Sequence, residues 1–233
     1  VTSKGFFDTD EVVAEHELKI DIKDIALPEQ QLKFTQWFYA DCLADYYNVE
    51  VFSDRHFEIC ENFARTAVEN GRNMLLLPLL TYALDTHFGG ERTTVQLIDI
   101  YKNGNSYTFG YENLDRWLDM CNRVGVKYYE VSPFFSQWGA DNTPKVVAEC
   151  DGKKQVIFGW GTNPLSTEYN TFIRAFISGF ISHMKSRGED KKCWYHISDE
   201  PVTEQLEQYK NVRNSISDLL EDYNVMDAIS HYE

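Results

Sequence analysis

Two hydrophobic rhythms alternate along this chain, and their order predicts its architecture. Residues 53–70 place apolar side chains at helical spacing behind Ser53 and Asp54, both good N-cap types, and Gly71 ends the run. Residues 74–81 follow as an apolar stretch of strand length. The same pairing recurs at 112–123 with 126–131 and at 167–185 with 193–197. In the 167–185 helix, Phe172, Phe176, Phe180, Ile173, Ile177 and Ile181 share one broad face. A helix over 203–223 and a strand over 225–229 complete the series, and a β-prone run at 34–40 precedes it. Within that run Trp37 and Tyr39 share one face and Phe38 takes the other.

Two hairpins interrupt the alternation. Residues 94–100 and 106–109 flank Lys102-Asn103-Gly104-Asn105, and residues 146–158 turn at Asp151-Gly152, both strong hairpin signals. Strands alternating with helices imply parallel strands joined by right-handed crossovers. The expected fold is therefore α/β, a (β/α)8 TIM-barrel type with about five of eight strands present and the two hairpins as insertions. A full barrel takes about 250 residues, so the chain reads as truncated on its C-terminal side. Upstream, Leu18, Ile20 and Ile22 alternate with Lys19, Asp21 and Lys23, the period of a half-solvated strand closed by Leu27-Pro28. Residues 1–27 are read as the end of an upstream β-rich region and 28–233 as a partial β/α-barrel domain.

Composition narrows the partners. At 233 residues, 43% hydrophobic and 15% aromatic, the chain can bury a sizeable core. A net charge of −15 disfavours nucleic acid, whose phosphates draw affinity from basic surfaces. No apolar run approaches the roughly 20 residues that span a bilayer, so no membrane span is expected. Five cysteines (Cys42, Cys60, Cys121, Cys150 and Cys193) are widely spaced with no CxxC pair, which suits free thiols. Free thiols favour a cytoplasmic setting, while a chain beginning at Val1 leaves secretion open.

The most informative stretch is Cys193-Trp194-Tyr195-His196-Ile197-Ser198-Asp199-Glu200-Pro201, an aromatic strand ending in two adjacent carboxylates and a proline. Strand ends of this kind carry the chemistry of β/α proteins. Pro201 bars the strand from continuing and pushes Glu200 towards extended backbone. A plainer account has Asp199 and Glu200 decorating a helix N-terminus with Pro201 as first helical residue. The two accounts differ in sign: a cap lowers a carboxyl pKa, and a working acid in a dry site has it raised.

Other chemistries find less support. Gly89-Gly90 and Gly159-x-Gly161 lack the spacing and the lysine of a phosphate loop. Ser132, Ser136 and Ser198 have no Gly-x-Ser-x-Gly setting. Asp85-x-His87 with His56 and His196 suggests a metal hydrolase, but Trp37-Phe38-Tyr39 stands where a His-x-His pair is expected. No metal and no cofactor is expected.

Three separated segments, Phe134-Phe135-Ser136-Gln137-Trp138-Gly139-Ala140, Phe158-Gly159-Trp160 and His196-Ile197-Ser198-Asp199-Glu200-Pro201, together resemble the catalytic region of glycoside hydrolase family 123. The resemblance runs from about residue 34 to the C-terminus and agrees in order and spacing. It implies a β/α-barrel glycosidase that removes terminal β-linked N-acetylhexosamine, N-acetylgalactosamine first, with retention. It further implies that the substrate's own 2-acetamido group is the nucleophile and that Asp199 and Glu200 are the catalytic pair. In that scheme Glu200 protonates the leaving oxygen. Asp199 orients the acetamide and stabilises the oxazolinium-like intermediate, and its charge helps keep Glu200 protonated. Aromatic faces suit the apolar side of a sugar ring. Trp138 and Trp160 are therefore the first candidates for substrate binding, followed by Trp37, Tyr39, Asp41 and His196. The alternative is a non-catalytic glycan-binding module or inactive barrel remnant.

Overall fold

The computed structural model describes residues 2–4, 10–12, 14–26, 28 and 31–228, and the chain divides into two units, the second starting at Leu32. The first unit holds an antiparallel pair, β1 (Thr2–Lys4) with β2 (Asp10–Val12), in which Thr2 lies opposite Val12. Residues 14–26 form no strand. Leu18, Ile20 and Ile22 are 79%, 70% and 87% exposed, so the alternation that predicted a half-buried strand has no buried side. Leu27, expected to close that strand, lies outside the described residues.

The second unit runs α1 (Ala40–Tyr47), α2 (Asp54–Glu69), β3 (Met74–Leu77), β4 (Asp99–Asn103), β5 (Ser106–Gly110), α3 (Glu112–Val124) and β6 (Tyr128–Val131). It continues with β7 (Val146–Cys150), β8 (Lys153–Phe158), α4 (Thr167–Arg187), β9 (Cys193–His196), α5 (Leu206–Ile216) and β10 (Asn224–Met226). Strands β3, β6, β9 and β10 are parallel, in the order β10-β9-β6-β3. Consecutive residues of β3 are all buried, as expected of a parallel strand covered on both faces. Trp117 of α3 and Phe172, Phe176 and Phe180 of α4 are buried in the same core.

α2 and α4 begin on the serines that their sequence signals name, and α4 ends on its glycine. Ser53 Oγ accepts from His56 N at the start of α2, Ser166 Oγ accepts from Tyr169 N at the start of α4, and Gly188 closes α4 at φ 70°. The helix expected over 203–223 is shorter: 3-10 turns at Thr203–Gln205 and Ser217–Leu219 flank α5.

Residues 34–40 do not form the expected strand. Phe34 lies against the start of β3, with Met74 N donating to Phe34 O (3.2 Å) and Phe34 N to Asn73 Oδ1 (2.8 Å). The chain then leaves the edge, and Ala40, Leu43 and Ala44, good helix formers, take it into α1. Its alternation survives: Phe38 is in the core while Trp37 and Tyr39, their rings 6.3 Å apart, stay partly exposed.

The two hairpins are not separate insertions. A parallel contact of β4 with β7 joins them into one sheet, β5-β4-β7-β8. The Gln96 amide extends the join, giving Nε2–H to Val147 O (2.8 Å) and taking Val147 N–H (3.0 Å).

Glu189, in the turn before β9, ties this framework together. Its carboxylate accepts from Asn122 Nδ2 (3.0 Å), Tyr129 OH (3.1 Å), Lys192 Nζ (2.9 Å) and Arg187 Nε (2.9 Å). Burial alone would raise its pKa, yet the Lys192, Arg187 and Asn122 bonds bring it down to about 2. A depressed carboxyl pKa contributes stability above the unfolded value that is lost as pH falls towards the folded one. Glu189→Gln is expected to cost on the order of 2 kcal/mol at neutral pH, allowing for solvent at Arg187 and Lys192. Urea denaturation checks this, and the difference from the parent should shrink between about pH 4 and about pH 2.

Candidate active site

Beyond His196, where β9 ends, the backbone is held by hydrogen bonds from both sides. Phe134 N donates to His196 O (3.3 Å), Phe135 N to Ile197 O (3.1 Å) and Trp138 N to Asp199 O (2.7 Å). Ser198 Oγ donates to Ser136 O (2.7 Å). From the opposite side Asp227, just past β10, accepts from Ile197 N (2.9 Å) and Ser198 N (3.2 Å). Asp199 therefore sits at the carboxyl end of a parallel sheet with the preceding backbone held on both sides. It is 3% exposed, and its Oδ1 is a buried acceptor without a hydrogen-bond partner.

The loop that holds it is shaped by Trp138, Gly139 and Ala140, at φ 57°, 90° and 63°. A Cβ on Gly139 would lie 2.5 Å from Gln205 Cβ, so only glycine fits. Glu200 follows at φ 44° and is partly exposed. The extended backbone expected before Pro201 is thus replaced by a left-handed one, a conformation costing about 1–2 kcal/mol. Trp138 N pins the Asp199 carbonyl, and the chain must turn at once to enter the 3-10 turn at Thr203. That turn starts from Val202, whose N–H is taken by Gln205 Oε1 (3.1 Å) and by neither acid of the pair.

Electrostatics separate Asp199 from an ordinary surface acid. Its pKa is pushed up to about 6, first by burial and then by the charges of Glu200, Asp85 and Asp227, with His196 opposing. Asp85, itself at φ 54°, accepts from Tyr39 OH (2.6 Å). Burial and that bond raise the Tyr39 phenol, so Tyr39 stays a donor. The Tyr39 ring lies 5.5 Å from Tyr82 and under the Arg92 guanidinium at 4.4 Å.

The other expected residues fall in different places. Asp41 is buried, and both its oxygens bind Arg92, at 2.7 and 3.0 Å. That bidentate pair leaves it holding Arg92 under Tyr39 and Tyr82. Trp138 is half exposed beside Asp199, and Trp37 stands next to Tyr39. Trp160 donates its indole N–H to Gly90 O (2.9 Å) and packs on Phe88 at 5.4 Å. It lines a cleft of about 430 Å³ with Tyr82, Thr86, Arg92, Thr143 and Lys145, and the acid pair is not in that lining. Thr86 ties the cleft to the Asp199 loop, because its carbonyl accepts from Gln137 Nε2 (2.8 Å).

His196 lies fully buried between Glu130 Oε1 (3.2 Å from Nδ1) and Asp227 Oδ1 (3.4 Å from Nε2). His56 is also internal: Nε2 lies 2.8 Å from Ala40 O, and Nδ1 takes Phe52 N–H at 3.0 Å. Both ring nitrogens of His56 are thus engaged, and His196 stands between two carboxylates. Among the described residues no three His, Cys, Asp or Glu side chains converge as a cation site.

Residues 37–233 match the family glycoside hydrolase 123, catalytic domain. The chain belongs to that family. A search of curated proteins found no match. Membership of glycoside hydrolase 123 makes glycosidic-bond hydrolysis the activity and a carbohydrate the substrate class. Against that activity, three acids of the cluster had gone unnamed as site residues or had been taken for something else: Glu130, Asp227 and Asp85. Glu130 and Asp227 carry no local motif, and Asp85 drew notice only through its spacing from His87.

A carboxyl whose pKa rises on folding opposes stability above that pKa, and the opposition fades as pH falls through it. Asp199→Asn is therefore expected to stabilise the protein at about pH 7.5 by on the order of 1–3 kcal/mol. By about pH 4 most of that gain should be gone. Urea denaturation at the two pH values gives the test, and an equal or reversed effect at both would contradict it.

Proposed function

We propose that this glycoside hydrolase 123 domain removes terminal β-linked N-acetylhexosamine, N-acetylgalactosamine first, with retention and with the substrate's acetamide as nucleophile. The observation that carries the proposal is Asp199: a buried carboxylate with an unpartnered Oδ1, adjacent to a partly exposed acid, at the carboxyl end of β9. An acetamide N–H is a donor that needs an acceptor in a water-poor site, and Asp199 Oδ1 is such an acceptor. Bonded there, the amide has its oxygen turned under the anomeric carbon, and developing positive charge on the oxazolinium is met by the carboxylate.

Glu200, open to solvent on one side, is the acid that protonates the leaving oxygen and the base that later activates water. Tyr39, Trp37 and the half-exposed Trp138 supply ring faces for the sugar. Trp160 and its cleft suit the part of the glycan beyond the cleaved bond. We also infer that the four parallel strands belong to a (β/α)8 barrel, since each is joined to the next by a helix-containing crossover.

Assays with alkyl β-N-acetylgalactosaminides and β-N-acetylglucosaminides, whose leaving groups need protonation, test the assignment. Glu200→Gln is expected to lower kcat by about 100-fold or more, and Asp199→Asn by about 100- to 1000-fold. Turnover by Glu200→Gln equal to that of the parent would remove Glu200 as the acid. Calorimetric binding of N-acetylgalactosamine without turnover by the parent would instead indicate a glycan-binding module.

A further inference from the structure

We infer that Glu130 and Asp227 hold His196 as a buried imidazolium in the Asp199 cluster, and that this ring favours the ionised form of Asp199 when the acetamide binds. This positioning role rests on the reading of Asp199 given above, but the trio itself is defined by geometry. The three groups come from three adjacent parallel strands: Glu130 from β6, His196 from β9, Asp227 just past β10. Glu130 and His196 are each 1% exposed.

The imidazole has a carboxylate oxygen at each nitrogen, at 3.2 Å from Nδ1 and 3.4 Å from Nε2. A neutral ring carries one N–H and one lone pair, so either tautomer would set a lone pair against an anion. Only the doubly protonated ring presents a donor to both. The Nε2 contact is an ion-pair approach without hydrogen-bond alignment, which leaves Nε2 a buried polar atom with no bonded partner. Asp199 Oδ1 is in the same condition, and the two charges act on each other. A buried cation and a buried anion, each short of a partner, stabilise each other through space in a medium of low polarity.

The carboxylates are themselves held. Thr35 Oγ1 donates to Glu130 Oε2 (2.5 Å). Asp227 accepts from Ile197 N and Ser198 N through Oδ1 and from Tyr209 OH through Oδ2. Around Asp199 the remaining charges are Glu200 on its own turn and Asp85 from the loop after β3, with Tyr39 OH bound to Asp85. All of these except His196 are acidic or phenolic. His196 is accordingly the one group of the cluster that favours a charged Asp199. Burial works against a protonated His196, and the three carboxylates outweigh it, raising its pKa above the ordinary histidine value.

Two measurements separate this role from a structural one. Nitrogen-15 NMR of histidine-labelled protein is expected to show both His196 ring nitrogens protonated at pH 7, and Glu130→Gln should move the loss of that proton to lower pH. A His196 that is neutral at pH 7 overturns the inference, and this reading needs no turnover, so it stands apart from the fate of the glycosidase proposal. In the active enzyme, His196→Gln should move the acidic limb of kcat/KM against pH upwards by about one unit, because Asp199 loses its counter-charge. A limb at the parental pH with only a lower kcat would show that His196 merely supports the fold, and would overturn the inference.

Discussion

Keeping a carboxylate dry is the constraint around which this end of the molecule is built. Asp199 carries an unpartnered oxygen into a buried position, an arrangement that costs free energy unless the surrounding backbone leaves the side chain no alternative. The surroundings provide that restraint. Backbone N–H bonds from residues 134–138 on one side and the Asp227 carboxylate on the other hold residues 196–199 in place after β9. The left-handed turn at Glu200 then ends the strand abruptly. Strained backbone and an unsatisfied acid at one point are what a site looks like when stability is given up for chemistry.

The rest of the unit can be understood as the scaffold for that point. Trp117 of α3 and the phenylalanines of α4 bury the sheet, and Glu189 links α3, β6 and the turn before β9 through a dense set of bonds. The Asp41–Arg92 pair fixes a guanidinium under Tyr39 and Tyr82, which sets the Tyr39 ring and lets its hydroxyl reach Asp85. Asp41 thus acts on Tyr39 through Arg92. Trp160 stands in a different wall, joined to the Asp199 loop by the bond between Gln137 and Thr86.

Much of this was legible in the sequence where the signal is local. Ser53, Ser166 and Gly188 mark helix ends because capping is a matter of the neighbouring three or four residues. Asp151-Gly152 and Asn103-Gly104 mark hairpins because they take the positive φ that tight turns need, as Asp151, Gly152 and Gly104 do. Residues 34–40 were misleading, since β-branched and aromatic content describes a half-buried surface and Ala40 to Ala44 had the stronger claim as a helix. Leu18, Ile20 and Ile22 show the right period, yet all three are exposed among the described residues. The Asp199–Glu200 pair stood out because both acids end one strand. Glu130 and Asp227 could not stand out, being 66 and 29–31 positions from the residues they bind at the end of β9. Only the pairing of β6, β9 and β10 brings them to His196.

The most direct test of the central claim varies the substrate amide alone. In a series of β-galactosaminides whose N-acetyl group carries zero, one, two or three fluorines, the amide oxygen becomes steadily less nucleophilic while the ring and leaving group stay the same. If Asp199 aligns that oxygen for attack, kcat/KM falls steeply and monotonically along the series. A flat series would mean that the amide takes no part in bond cleavage and would contradict the role assigned to Asp199.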